Sequence, residues 1–170
     1  MPELATVLSG LGRLSLRGGP QVLAAASDAF SLRLPLEPCR AAEGDARAAL
    51  WLGPDEQLLL VQQSDWDETL LALTRRLAGL PHSLVDISQR QVALQVAGPR
   101  VADTLSAGCP LDLHPDAFPI GMCTRTLFLK APIVLWRTAA DAFHLEVWRS
   151  FVPYVQQLLR EVAREYGISP

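Results

Sequence analysis

Leu16-Arg17-Gly18-Gly19-Pro20 ends one kind of periodicity and begins another. Upstream, Arg13 to Arg17 alternates apolar Leu14 and Leu16 with polar neighbours, the period of a strand with one buried face. Downstream, Gln21 to Ala29 is rich in Ala and Leu and predicts a helix; Pro20 is tolerated because a first helical turn does not need its missing N–H. The same change recurs at Gln95-Val96-Ala97-Gly98-Pro99, where a strand over Gln91 to Ala97 gives way to a helix running through Ala107. Leu34-Pro35-Leu36-Glu37-Pro38 parallels Leu111-Asp112-Leu113-His114-Pro115, and Trp51 parallels Trp136. The offset drifts from about 77 to about 86 residues, so the order of elements, more than residue identity, carries the duplication.

Working outward, Phe30 to Leu36 returns to strand alternation, and Pro38 with Ala41 to Asp45 marks a loop. Arg47 to Leu52 and Gln57 to Gln62 flank Gly53-Pro54-Asp55-Glu56 as a hairpin. Asp65 with Glu68 three residues on predicts a capping box, followed by a helix with Leu70, Leu71, Leu73, Thr74, Leu77 and Ala78 on its apolar face and Gly79 as its stop. Strands are expected over Ser83 to Ile87, Thr124 to Lys130, Ile133 to Thr138 and Phe143 to Trp148. The last helix runs from an N-cap at Ser150 to Tyr166, burying Phe151, Tyr154, Val155, Leu158, Leu159 and Val162. These elements predict an α+β fold in two halves, 1–81 and 82–170, forming one compact unit. In each half a mostly antiparallel sheet buries one face under helices, a two-layer arrangement.

The chain has 170 residues, 49% hydrophobic and only 19% charged, against roughly 25% charged in an ordinary globular domain. With a mean hydropathy of +0.19, this leaves two readings: a dense core, or an apolar patch facing a partner. A formal charge of -3 and a pI near 5.6 lack the basic footprint of a nucleic-acid binder. Of the 15 basic residues only Lys130 is lysine; guanidinium groups tolerate partial burial better than ammonium, although a high-GC genome produces the same skew. Cys39, Cys109 and Cys123 are odd in number and widely spaced, which argues against a disulfide framework or a zinc site and fits a reducing cytoplasm. Met1-Pro2-Glu3-Leu4-Ala5 has no positive region followed by an apolar stretch, so neither export nor a membrane span is expected.

Catalytic chemistry finds no local motif. His82, His114 and His144 are the available imidazoles, and no nucleophile, base and orienting group are proposed together by spacing. Cys123, in Gly121-Met122-Cys123-Thr124-Arg125-Thr126, reads as a small packed hydrophobe. Asp86-Ile87-Ser88-Gln89-Arg90 concentrates groups that satisfy turn donors. Gly18-Gly19-Pro20 is no phosphate loop, because Pro20 removes a backbone donor. We expect no catalytic, cofactor-binding or metal-binding residue here. Trp and Arg are enriched at interface centres, and Glu146 to Phe151 sets both at a strand-helix junction; Arg125, Arg137, Trp148 and Arg149 are the candidate subunit contacts.

Ala107-Gly108-Cys109-Pro110-Leu111-Asp112-Leu113-His114-Pro115, then Phe118-Pro119 and Gly121-Met122-Cys123-Thr124-Arg125-Thr126, resembles the gamma subunit family of heterotetrameric sarcosine oxidase. Ala49 to Glu56, Val85-Asp86-Ile87-Ser88, Val134-Leu135-Trp136-Arg137 and Leu145 to Phe151 agree with it. Gln57 stands where that family would have Trp, and Gln89 where His is frequent. Asp55 to Val61 and Gln95 to Pro99 are more distantly similar to the folate-binding modules of the glycine-cleavage aminomethyltransferase (T-protein) and to the N-terminal domain of a tRNA-modifying GTPase. The resemblance implies two related ferredoxin-like halves and a non-catalytic subunit docked on an alpha chain, beside beta and delta chains. That complex demethylates sarcosine oxidatively to glycine, yielding hydrogen peroxide and methylene-tetrahydrofolate, or formaldehyde without folate. The resemblance also implies that FAD, FMN, NAD, tetrahydrofolate and zinc are held by the partner subunits, with none in this chain. Two rivals are a free-standing tetrahydrofolate-binding, aminomethyltransferase-like protein and an RNA-modification accessory module; the acidic balance argues against the second.

Overall fold

The computed structural model describes residues 4–165. It contains ten strands and four helices: β1 (Ala5–Leu8), β2 (Leu11–Gly18), α1 (Pro20–Phe30), β3 (Ala41–Glu43), β4 (Arg47–Gly53), β5 (Glu56–Gln62), α2 (Trp66–Leu77), β6 (His82–Asp86), β7 (Gln91–Ala97), α3 (Val101–Ser106), β8 (Cys123–Phe128), β9 (Ala131–Ala139), β10 (Ala142–Trp148) and α4 (Val152–Glu165). They form two five-stranded sheets, ordered β3-β4-β5-β2-β6 and β1-β7-β10-β9-β8, in which every pairing is antiparallel.

The chain divides into two compact units, residues 10–89 in one and residues 1–9 with 90–170 in the other. This differs from the expected boundary after residue 81. β6 pairs with β2, placing Leu84 opposite Leu16, so its hydrogen bonds belong to the first sheet. β1 lies early in the chain but pairs with β7, from Ala5 opposite Val96 to Leu8 opposite Ala93. Leaving aside β3 and β8, the two sheets have the same plan. β2, α1, β4, β5, α2 and β6 make a ferredoxin-like unit; β7, α3, β9, β10 and α4 make the second, with β1 supplying its last strand. β3 and β8 are the matching additions next to β4 and β9.

The duplication is therefore present, but its alignment differs by one residue from the sequence reading. The N–H of Gly18 donates to Asp55 O at 3.0 Å and that of Gly98 to Asp141 O at 2.9 Å, so Gly18 corresponds to Gly98 and not to Ala97. A one-residue slip turns every strand side chain to the other face. Leu16 thus matches Val96, both in helix-facing cores, while Gln95 is exposed. Trp51 and Trp136 are not counterparts: Trp51 shares a face with core Ala49, whereas Trp136 alternates with core Leu135. Leu34 and Leu113 are each 2% exposed and Leu36 is 63% exposed; burial pairs Leu34 with Leu113.

In the first unit, Leu14, Leu16, Leu59 and Val61 of the sheet pack beneath Val22, Leu23, Ala26 and Phe30 of α1 and Leu73 and Leu77 of α2. In the second, Leu94, Val96, Leu135, Phe143, Leu145 and Val147 pack with Val101 and Leu105 of α3 and Val155, Leu159 and Ala163 of α4. On α2 the buried line is Thr69, Leu73 and Leu77, one turn apart, and Leu71 and Thr74 face solvent. The expected strand over Phe30 to Leu36 is instead the end of α1 and a loop. Ser31 turns to φ 52°, and Gln57 Nε2 donates to Pro35 O at 2.9 Å, which uses that carbonyl outside any ladder. Asp65 makes no capping bond; its carboxylate accepts from Ser64 Oγ at 2.9 Å and lies 3.7 Å from Arg47. Ser150 sits inside the 3-10 turn Arg149–Phe151 and does not cap α4. The expected helix end at Tyr166 lies outside the described residues.

Gly12, in β2, faces the Trp66 ring at the start of α2: a Cβ there would stand 2.1 Å from Trp66 Cε3. Gly12→Ala is expected to lose about 1–3 kcal/mol through overpacking, despite the strand preference for Ala over Gly. Urea denaturation of the purified chain reads this, and a neutral or stabilising result would contradict the contact.

Candidate functional site

Two arrangements are worth weighing as sites: a buried polar row on the second sheet, and the exposed end of that sheet. In the first, adjacent strands place Cys123 opposite Trp136 and Trp136 opposite His144. His144 Nε2 lies 2.8 Å from Glu146 Oε1, and the imidazole and indole centroids are 5.6 Å apart. A histidine oriented by a carboxylate is half of a general-base device. Here it is closed to substrate, since His144 is 5% exposed, Glu146 0% and Cys123 0%. In that row Trp136 stands between the cysteine and the imidazole. The row is a packed polar element of the sheet.

The other two histidines and Asp86 hold turns. His114 Nδ1 accepts from Asp116 N at 3.3 Å, and His82 Nδ1 is 2.8 Å from Leu80 O. In Asp86 to Arg90, Ser88 N donates to Asp86 Oδ1 at 2.8 Å and Ser88 Oγ accepts from Arg13 N at 2.9 Å. Among the described residues no three His, Cys, Asp or Glu side chains are placed to hold a metal ion. The two glycine-proline turns do not fit a phosphate either. Gly18 and Gly98 spend their N–H groups on Asp55 and Asp141, and the proline that follows in each turn has none to offer.

The exposed end of the second sheet is different. Trp148 is the last residue of β10 and 45% exposed. Arg90 stacks over it, with Cζ 5.9 Å from the ring centroid, and Arg149 N donates to Arg90 O at 2.9 Å. Val147 pairs with Ile133, so the next step of the register sets Trp148 beside Pro132, and Pro132 pairs with Leu127. Trp148, Pro132 and Leu127 thus form one exposed cross-strand row over β10, β9 and β8, with Leu127 46% exposed. Arg125 lies one alternation away on the same face of β8, opposite Val134.

Three of the four residues expected at a subunit contact, Arg125, Trp148 and Arg149, therefore border this row. Arg137 does not, and here the structure corrects the sequence reading. Arg137 is 3% exposed. Its Nη1 donates to Leu113 O at 3.2 Å and Phe118 O at 3.0 Å, Nη2 to Ala140 O at 2.5 Å and Nε to Ala139 O at 3.3 Å, while Cζ lies 5.1 Å over the Phe143 ring. This guanidinium ties the loop before β8 to the β9-β10 turn and offers nothing to a partner. Leu127 and Pro132 were missed because the alternation that marks an exposed face does not tell which strand lies beside it.

No helix among the described residues is long and apolar enough to cross a membrane. A sequence model of the sarcosine oxidase, gamma subunit family matches residues 17–165. The sarcosine oxidase subunit gamma of Corynebacterium sp. (strain P-1) is 30% identical over 126 residues, which are 74% of this chain and 61% of that protein. The chain thus spans about three fifths of this relative's length. A chain in the structure of the heterotetrameric sarcosine oxidase from Corynebacterium sp. U-96, in complex with pyrrole 2-carboxylate, superposes with a TM-score of 0.90 at 29% identity, covering 100% of this chain and 89% of that one. The glycine cleavage system aminomethyltransferase T from Bartonella henselae superposes at 0.69 with 14% identity, over 92% of this chain and 45% of that one, a likeness of fold alone. With the family model matching most of its length and the ferredoxin-like duplication in place, the chain belongs to the sarcosine oxidase gamma subunit family.

Proposed function

We propose that this chain is a non-catalytic gamma subunit of a heterotetrameric, cytoplasmic sarcosine oxidase, contributing shape and docking surface while partner chains carry the chemistry. The family membership, through the match over residues 17–165, carries the reading. The assembled enzyme would demethylate sarcosine oxidatively to glycine, form hydrogen peroxide, and pass the one-carbon unit to tetrahydrofolate or release it as formaldehyde. FAD, FMN, NAD, the folate and zinc would reside on the alpha, beta and delta chains, the alpha chain being the principal contact. Two observations support this division of labour. The His144–Glu146 pair is sealed from substrate, and the exposed aromatic and apolar row at the end of the second sheet has the composition of an interface centre.

The test is co-purification. A tagged form of this chain, co-expressed with the alpha, beta and delta chains of a sarcosine oxidase, should bring down a yellow complex that consumes oxygen with sarcosine. Recovery of the tagged chain alone would overturn the proposal. Calorimetric titration with tetrahydrofolate separates the free-standing folate-binding alternative: tight binding by this chain by itself would favour that rival.

A further inference from the structure

We propose that the outer edge of β8 receives an extended, carboxylate-bearing segment of a partner subunit, which adds a sixth strand to the second sheet; this rests on the subunit reading above. Among the described residues β8 is an edge strand, paired only with β9. The turn between them has two residues, Leu129 and Lys130, and is closed by the pair Phe128 and Ala131. In an antiparallel hairpin that closing pair exchanges both hydrogen bonds, and pairs alternate from there. Thr126 and Thr124 therefore bond inward to β9, while Leu127 turns its backbone N–H and C=O toward the outer edge; Arg125 follows in the same phase, its carbonyl accepting from Thr124 Oγ1 at 3.3 Å. Pro132 agrees with this phase, because its missing N–H falls opposite Leu127, at a pair that makes no bond.

Natural edges are blunted by short strands, bulges, prolines or charged side chains. β8 has six residues, no proline, no register shift against β9 and a single charged residue, Arg125. The edge is also held rigid. Leu129 N donates to Gly108 O at 2.7 Å, and Gly108 lies so close to Phe128 that a Cβ would meet its ring at 2.7 Å. Leu129 has φ 51°, a conformation that suits Gly or Asn and strains a branched apolar residue. It is also 48% exposed. Folding leaves about half of that leucine in water; a partner covering it would bury the rest. Together with Leu127 it borders a shallow groove of about 360 Å³ against Ser106 to Pro110, with no charged residue in its lining.

Backbone groups presented in strand phase are met by another strand, the mode of β-strand addition, in which alternate side chains supply specificity. An added strand would extend the row Trp148, Pro132 and Leu127 by one more apolar residue. Charge distinguishes a partner's strand from a second copy of β8. No carboxylate occurs from Ala117 to Ala140 in a chain with 18 acidic residues, and Lys130 stands exposed at the turn. Two copies would set acid-free, lysine-bearing strands against each other, whereas an acidic segment is complemented.

The test uses the full tagged chain co-expressed with alpha, beta and delta chains. Leu127→Pro removes an outward N–H at a position an edge strand tolerates, and Leu129→Asn relieves the left-handed backbone. Both should keep the wild-type circular dichroism, with Leu129→Asn melting no lower, while capture of partner chains falls about tenfold or more. Lys130→Glu should weaken capture more at low than at high ionic strength. Wild-type capture retained by all three variants would overturn the edge and leave the subunit reading intact. A wild-type chain that captures nothing would instead remove the subunit reading on which the edge depends. Should Leu127→Pro fail to fold, Leu129→Asn and Lys130→Glu still decide. Self-association abolished by the variants, with partner capture unchanged, would assign the edge to a second copy and overturn the proposal.

Discussion

Arg137→Ala should destabilise the chain by about 3–5 kcal/mol, the largest loss expected for a single substitution here. The buried guanidinium serves four carbonyl oxygens, those of Leu113, Phe118, Ala139 and Ala140. Removing it strands the buried carbonyls of Leu113 and Phe118, and a buried acceptor without a donor costs more than the lost bond contributed. Arg137→Met isolates this effect, since it keeps most of the volume over Phe143 and should still lose most of the stability. Arg137→Lys should recover only part, because one ammonium cannot reach carbonyls on two sides as a planar fork does. Equilibrium urea unfolding reads all three, and a loss below about 1 kcal/mol for the alanine variant would mean the loop before β8 is held by something else.

His144→Ala is expected to cost about 3 kcal/mol, since it takes a donor from the fully buried Glu146 carboxylate and the ring contact from Trp136. Glu146 makes further contacts, so Glu146→Gln, which preserves shape, should cost less, on the order of 1 kcal/mol. The deciding quantity is the coupling from a double-mutant cycle. A value of about 1–3 kcal/mol identifies the pair as a structural unit, and additive single effects would dissolve it. On the proposed subunit reading, a structural pair means that complexes assembled from folded variants should consume oxygen with sarcosine at the wild-type rate. A selective loss of turnover in a folded complex would give the imidazole a chemical role after all.

The contrast between Arg137 and Trp148 shows how far a residue list can be read. Both were expected at a contact because Arg and Trp favour interface centres, yet Arg137 is enclosed by carbonyls and Trp148 remains 45% exposed. Neighbouring sequence is similar in kind: each follows an alternating apolar run near a strand end. Whether a polar group at such a position is enclosed depends on a distant loop folding over it, here the one carrying Leu113 and Phe118. Capping signals failed for a related reason. Asp65 and Ser150 have the right chemistry, but in each case the chain enters its helix through a 3-10 turn, and a cap's spacing assumes direct entry.

What the sequence by itself determined is local and periodic: strand alternation, helical stripes, the turn at Gly18-Gly19-Pro20, and the duplicated order of elements, because each depends on residues only a few positions apart. Tertiary structure decided which strands are neighbours. β1 closes a sheet made mostly from the other end of the chain, β6 belongs with what precedes it, and the repeats align through Gly18 and Gly98. These follow from backbone hydrogen bonds between residues far apart in sequence, and a period of two is the same whichever strand lies alongside. The row from Trp148 to Leu127 exists only through that pairing, since three side chains on three strands become one surface when the register sets them abreast.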